Sequence, residues 1–580
     1  MLSQSVPEPD LTNAVKITLS DSNIKIEGNG AQEKDGGVTI TDGGVYVISG
    51  RLSDGRVMVD ADGKEVTLVM SGADITCSYS SPLYIYKSKT TTVYLATGTE
   101  NTLTDGNSYT FKDSYSSAND EEPNACFYSK SDLIIGGSGK LTVNANFNNG
   151  ITSKDTLRID SAVLNVSSKN HGVNGKDFCT LKGASVTVTS GGDALRSTND
   201  TDTSLGYITA VNSTLELTSG EDGIQAETVL TMSGGSCKIK SGGGSSEKIS
   251  EGVSAKGLKD GSSVTILDGT YELDCCDDAI HSNGSAVISG GKFSIATVDD
   301  GMHADENLKI TAGEIDITKS YEGLEGKTID ISGGTINIVA SDDGMNAAGG
   351  NDQSGLGGRM ERDNFGASSD CSITVSGGVT NIDASGDGID SNGSLSISGG
   401  EVYISGPVSG GDSALDYGSS ATVTGGTVIA AGSSGMAQNF SEDSTQGCIL
   451  LTYQSYASGK ISVEDSSGTT LAEYTPSKEY NCVIISCPSL TKGNTYTVTA
   501  CGQSQSVTLD SLIYGSGMNG GMKGGGMKGG RNQLQPPDGQ EDPGSQGSQN
   551  GVPTPPGGGR PDGNGKQSGV QSSNADSQIA

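Results

Sequence analysis

Rows of about 22 residues recur along this chain, and a repeat of that length constrains the fold more than any other feature of its 580 residues. The rows are clearest in DDAIHSNGSAVISGGKFSIATV from Asp277, DDGMHADENLKITAGEIDITKS from Asp299 and YEGLEGKTIDISGGTINIVAS from Tyr321. Another opens at Asp342, one follows an insertion at Gly386, and weaker rows begin at Asn148, Asn170, Gly192, Glu221, Ser250 and Gly411. Each row holds three short segments of alternating apolar and polar residues, separated by Asp-Gly or Gly-Gly pairs that suit sharp corners. Stacking the rows aligns apolar positions into columns, such as Leu164, Val186, Leu215, Cys237, Tyr271 and Phe293. A helical repeat would space its apolar residues at i, i+3, i+4 and i+7, and the rows do not. The expected fold is therefore all-β: a right-handed parallel β-helix, in which stacking buries a core that no single coil could form. A hydrophobic content of 32% is then sufficient.

The period also marks its own interruptions. Insertions fall at Ser197 to Gly206, around Lys256 to Gly261 and at Gly349 to Asp370. The reading divides the chain into a leader at 1–14, the β-helix at 15–432, a small antiparallel β cap at 433–514 and a Gly/Pro/Ser/Gln-rich tail at 515–580. The 11 cysteines lack metal-finger spacing. Cys237 reads as core, Cys275 and Cys276 as a corner pair open to redox chemistry, and Cys448, Cys482, Cys487 and Cys501 as able to include a disulfide. No stretch is apolar enough for a membrane span, and Met1 to Asp10 lacks the pattern of a secretory signal. A net charge of -34 repels nucleic acid and anionic membranes and favours cations.

That charge is patterned. The turn opening each row places a polar residue at one equivalent position, including Asp193, Asp222, Glu251, Asp278, Asp300, Glu322, Asp343, Asp387 and Asp412. Asp277, Asp299 and Asp342 add second carboxylates. Stacked strands lie ~4.8 Å apart, and two charges at that distance repel by roughly 3 kcal/mol at an effective dielectric near 20. A cation between them relieves this, and oxygen-only ligands suit calcium. The expected metal ligands are Asp277, Asp278, Asp299, Asp300, Glu322, Asp342, Asp343 and Asp387. For the isolated Asp193, Asp222 and Asp412 the alternative holds: a solvated carboxylate bonded to backbone N–H groups of its own turn. A neighbouring outward column reads Gln225, Ser254, His281, His303, Glu325, Asn346 and Asp390, its last five residues being candidates for substrate contact. His281 and His303 read as stacked surface imidazoles rather than transition-metal ligands.

The segments LSDGRVMVDADGKEVTLVMSGADIT, GTENTLTDG and YSKSDLIIGGSGKLTV, with the DDG rows and the ILLTYQ to YTVTACG cap, resemble a family of bacterial, largely clostridial, carbohydrate-binding β-helix proteins. The resemblance spans roughly Val15 to Tyr514. It implies a secreted or surface-attached right-handed β-helix that binds calcium and plant cell-wall polysaccharide, including cellulose and polygalacturonate, and is similar to pectate-type lyases; the chain is expected to be a monomer. Calcium binding carries over to Asp277, Asp278, Asp299, Asp300, Asp342 and Asp343; Glu322 after Tyr321 departs from the doubled pattern. Three functions compete: a calcium-bridged binding module, a lyase with Lys327, Arg359 or Arg362 as base, and a calcium-stiffened adhesin.

Overall fold

The computed structural model describes residues 5–248, 253–348 and 370–516. Its secondary structure is β throughout, with 42 strands joined in one sheet and 4 in another. Among the described residues no helix is long and apolar enough to cross a membrane.

The rows pair in parallel and in register. Leu164 lies opposite Val186, Val186 opposite Leu215, Leu215 opposite Cys237, Cys237 opposite Tyr271 and Tyr271 opposite Phe293. Alternation sends these side chains inward, where they join one core cluster that extends from Ile17 to Ile484. The rings of Tyr271 and Phe293 stack at 4.6 Å within it.

The expected fold class requires correction. The rows predict three separate short strands per coil, whereas Tyr207–Ser219, Val229–Ser241 and Ser263–Cys275 each run 13 residues through a predicted corner. Tyr207–Ser219 pairs with Phe178–Lys182 along its first half and with Ser185–Ser190 along its second, so ladders expected to be separate share strands. The main sheet is a closed parallel barrel of 10 strands with further strands outside it, not a β-helix solenoid. The glycine pairs act as bends inside strands: Gly234 and Gly235, at φ 72° and 81°, lie within Val229–Ser241.

Past the rows the pairing turns antiparallel. Thr427–Gly432 pairs with Tyr480–Ser486, which pairs with Cys448–Ala457, and Ile461–Glu464 leads a separate antiparallel sheet. All 11 cysteines are buried free thiols, so the cap forms no disulfide. Burial pushes the thiols of Cys275 and Cys276 above their ordinary range, away from the reactive thiolate. Glu251, Arg359 and Arg362, most of the third insertion and the tail beyond residue 516 lie outside the described residues.

Candidate functional site

The polar column at the row openings is present, and it is built differently from a solvated turn. At most rungs the side chain accepts the backbone N–H of the same position one row on. Asp193 N–H donates to His171 Nδ1 at 3.0 Å, Asp222 N–H to Asp193 Oδ1 at 3.1 Å, and Lys256 N–H to Asp222 Oδ1 at 2.8 Å. Further along, Asp300 N–H donates to Asp278 Oδ1 at 3.0 Å, Glu322 N–H to Asp300 Oδ1 at 3.2 Å, and Asp387 N–H to Asp343 Oδ1 at 2.5 Å. Asp193 and Asp222 are therefore buried rungs between rows, which corrects the expectation of exposed turn residues. These rungs give one carboxylate oxygen to the next row and leave the other for side chains, as Asp193 Oδ2 meets Arg196, Asp222 Oδ2 Lys259 and Asp278 Oδ2 His281.

Two positions change hands. Leu258 pairs with Ile224 on one side and Ile280 on the other, so Lys256 occupies the rung assigned to Glu251, and Lys259 the lateral place assigned to Ser254. Ser413 takes the rung assigned to Asp412, because Leu415 pairs with Ile389. Lys256 is the functional residue that sequence reasoning missed. Its Nζ lies 3.0 Å from Asp277 Oδ1 and 2.5 Å from Asp278 Oδ2. Asp277, Asp278 and Asp299 gather within 4.8 Å of one another, so this carboxylate group already holds an internal cation. Burial alone would raise Asp278, but Lys256 and His281 hold it well below the carboxylate range; Asp277 is raised by burial and by Asp278.

The lateral column brings His281 and His303 into a stack with centroids 4.8 Å apart. The imidazoles are 5% and 1% exposed, which corrects the expectation of surface rings. His281 Nδ1 sits 2.8 Å from Asp278 Oδ2, and its Nε2 is 2.9 Å from Asn283 Oδ1. His303 Nδ1 meets Glu325, and its Nε2 is 3.0 Å from Asp305 Oδ1. Burial pulls His303 down, yet the carboxylates of Asp300, Asp305 and Glu325 raise it overall, so it stays an imidazolium.

From Asp300 onward carboxylates outnumber cations among the described residues. Asp300 and Glu325 form a close group with His303, and Asp343, Asp387 and Asp390 form another. Asn346 Nδ2 donates to Glu322 Oε1 at 3.0 Å. Asp300 Oδ2, Glu322 Oε2 and Asn346 Oδ1 are buried without a hydrogen-bond partner. Burial and neighbouring carboxylates raise Asp300 and Glu322 well above their usual range, Asp343 to about 9 and Asp387 to about 8. Asp342 lies outside both groups, beside Tyr321, whose hydroxyl is raised by its hydrogen bond to Asp342. Orphaned oxygens in this oxygen-rich column, where His303 is the one cation among the described residues, fit a divalent metal of calcium type.

Lys327 Nζ pairs with Glu306 at 3.6 Å.

Comparison with known proteins bears on what this column serves. A family model described as a carbohydrate-binding domain-containing protein matches residues 34–301 and 298–412. A relative of the same description from Acetivibrio thermocellus is 39% identical over 158 residues, 26% of this chain and 53% of that protein. The chain thus spans about half the length of that relative. A solved polysaccharide lyase-like protein from C. thermocellum, a gadolinium derivative, is 30% identical across 44% of this chain and 96% of its own, with a TM-score of 0.39.

Proposed function

Because the chain belongs to the family of carbohydrate-binding domain-containing proteins, we propose that it binds an acidic, pectin-type polysaccharide through calcium held between Asp300 and Asp390. One observation carries this reading: Glu322 Oε2 is buried without a hydrogen-bond partner, and so is Asp300 Oδ2, whose neighbour is the His303 ring at 3.6 Å. Among the described residues no lysine or arginine pairs with Asp300, Glu322, Glu325, Asp343 or Asp387, in contrast to the Asp277 group, and His303 is the one cation beside Asp300 and Glu325. The ligands would be Asp300, Glu322, Glu325 and Asn346 for one ion and Asp343, Asp387 and Asp390 for another. Bound calcium supplies positive charge that both carboxylate groups share and leaves coordination places for uronate oxygens. The protein's own residues do the rest. Rungs hydrogen-bonded to the next row fix one oxygen of each carboxylate, so the free oxygens are held ready before the metal arrives. Cellulose, being uncharged, would gain nothing from the ion.

The test is retention on polygalacturonate with calcium or with chelator, while absorbance of unsaturated product is followed. Calcium is expected to raise retention at least tenfold without product, and Asp343→Asn with Asp387→Asn to remove most of that gain. Equal retention in calcium and chelator would refute the reading, and accumulating product would replace binding with lyase chemistry.

A further inference from the structure

We infer that the same outward face carries a second saccharide subsite, at Thr152, Asn174 and Arg196, that takes the carboxylate of a uronic-acid unit directly, without a metal ion. The inference rests on the polysaccharide reading above and gives the polymer's acidic units a second place in the fold. Thr152 lies opposite Asn174, and Asn174 opposite Arg196, on successive strands. The column continues through Gln225 and Lys259 to His281, so the three residues sit on the face that bears the carboxylate groups. Ile151, Val173 and Leu195 point into the core, and alternation turns their neighbours outward.

All three carry an unmade hydrogen bond. Thr152 Oγ1, Asn174 Oδ1 and Arg196 Nε are buried without a partner, and Thr152 and Asn174 are 2% and 7% exposed as residues. Arg196 spends Nη1 on Asp193 Oδ2, 3.5 Å away, which leaves Nε. A guanidinium N–H, a hydroxyl and an amide oxygen offer donors for a carboxylate and an acceptor for a sugar hydroxyl.

Basic side chains gather at this end, beside the carboxylates of Asp132, Asp155 and Asp177. Lys130, Lys154 and Lys176 follow the strands at equivalent places, each donating its N–H one row back, to Ile85, Ser129 and Ser153. Lys130 and Lys154 share the single carboxylate of Glu122, at 2.6 and 2.8 Å, and Lys176 enters no ion pair among the described residues. Tyr128 precedes Thr152 in the column, and beside it the half-buried Tyr86 and Tyr115 pack edge to face at 5.0 Å, an apolar wall against which a sugar ring can rest. A bare uronate finds ammonium and guanidinium groups at this end, which the Asp300 to Asp390 end supplies only through calcium.

The probe is trigalacturonate, titrated calorimetrically into the full chain in chelator and in calcium, with cellotriose as the uncharged control. Expected is a measurable association in chelator that falls about tenfold in Lys176→Ala and in Arg196→Gln. Asp343→Asn with Asp387→Asn should leave it unchanged. Lys176→Glu, on a partly exposed side chain, should abolish it with the thermal unfolding midpoint preserved, which keeps the test decisive if Arg196→Gln fails to fold. Binding only in calcium would overturn this subsite and leave the calcium reading standing. Chelator-resistant binding unaffected by Lys176→Ala and Lys176→Glu, or equal binding of cellotriose, would overturn the subsite. Absence of binding in both buffers would overturn both readings.

Discussion

The ammonium of Lys256 lies 2.5 Å from Asp278 Oδ2 and stands where a metal ion would otherwise be needed. Lys256 is 7% exposed and Asp278 is fully buried, so this is an interior ion pair within a carboxylate group. Removing one partner of such a pair strands the other's charge and costs about 3–5 kcal/mol. Lys256→Met is therefore expected to lower the unfolding free energy in chelator by that order. The same substitution leaves Asp277, Asp278 and Asp299 as a vacant oxygen cluster, so calcium should restore most of the loss and the bound calcium should rise by one ion. Denaturant unfolding with and without calcium, together with a calcium titration, checks both parts; unchanged stability in chelator would refute the role.

Asp260 supplies a pH dependence independent of the carboxylate groups. It points into the core in a column of small residues, opposite Ala226 and Ser282. Ser282 Oγ and Ser262 N–H donate to its Oδ1, while Oδ2 has no partner. Burial pushes its carboxyl up to about 7. The folded state thus binds this proton more tightly than the unfolded chain, whose aspartate titrates at about 3.9. Its contribution is fully favourable below about pH 4 and is lost as the pH rises toward 7. Asp260→Asn should unfold at a higher temperature than the parent chain at pH 8.5 and at nearly the same temperature at pH 5. A lower midpoint for the variant at both pH values would show that the carboxylate is needed in its charged form.

The row alignment was readable because burial imposes a strict period of two along each segment. Leu164, Val186, Leu215 and Cys237 therefore fall opposite one another as aligned. The fold class was not readable, because alternation looks the same whether a strand ends at a glycine pair or bends through it. Val229–Ser241 does the latter at Gly234 and Gly235. Lys256 escaped for a different reason. The irregular stretch after Ser241 breaks the count, and only the match of Gly257–Leu258 to Gly223–Ile224 restores it. Sequence also could not tell a solvated aspartate from a rung. The donor to Asp193 Oδ1 is the N–H of Asp222, in a row whose alignment had to be known first.

Gly386 offers a way to disturb the second carboxylate group without altering a carboxylate. It opens the turn that carries Asp387, and a Cβ built there would meet Asp343 Oδ1 and lie 2.5 Å from Asp342 Oδ1. The turn thus approaches the preceding row so closely that only glycine leaves both carboxylates in place. Gly386→Ala must displace Asp343, whose Oδ1 is also the acceptor for Asp387 N–H. The displacement separates Asp343 from Asp387 and Asp390, which now cluster within 4.8 Å. Ions at the Asp300 group should be unaffected, since that group is built on other rows. The expected outcome is loss of about one bound calcium and a smaller calcium-induced rise in unfolding temperature, with the Asp300→Asn variant losing the complementary fraction. Calcium titration followed by thermal unfolding measures this. A Gly386→Ala protein with the full calcium response would place the ion away from Asp343.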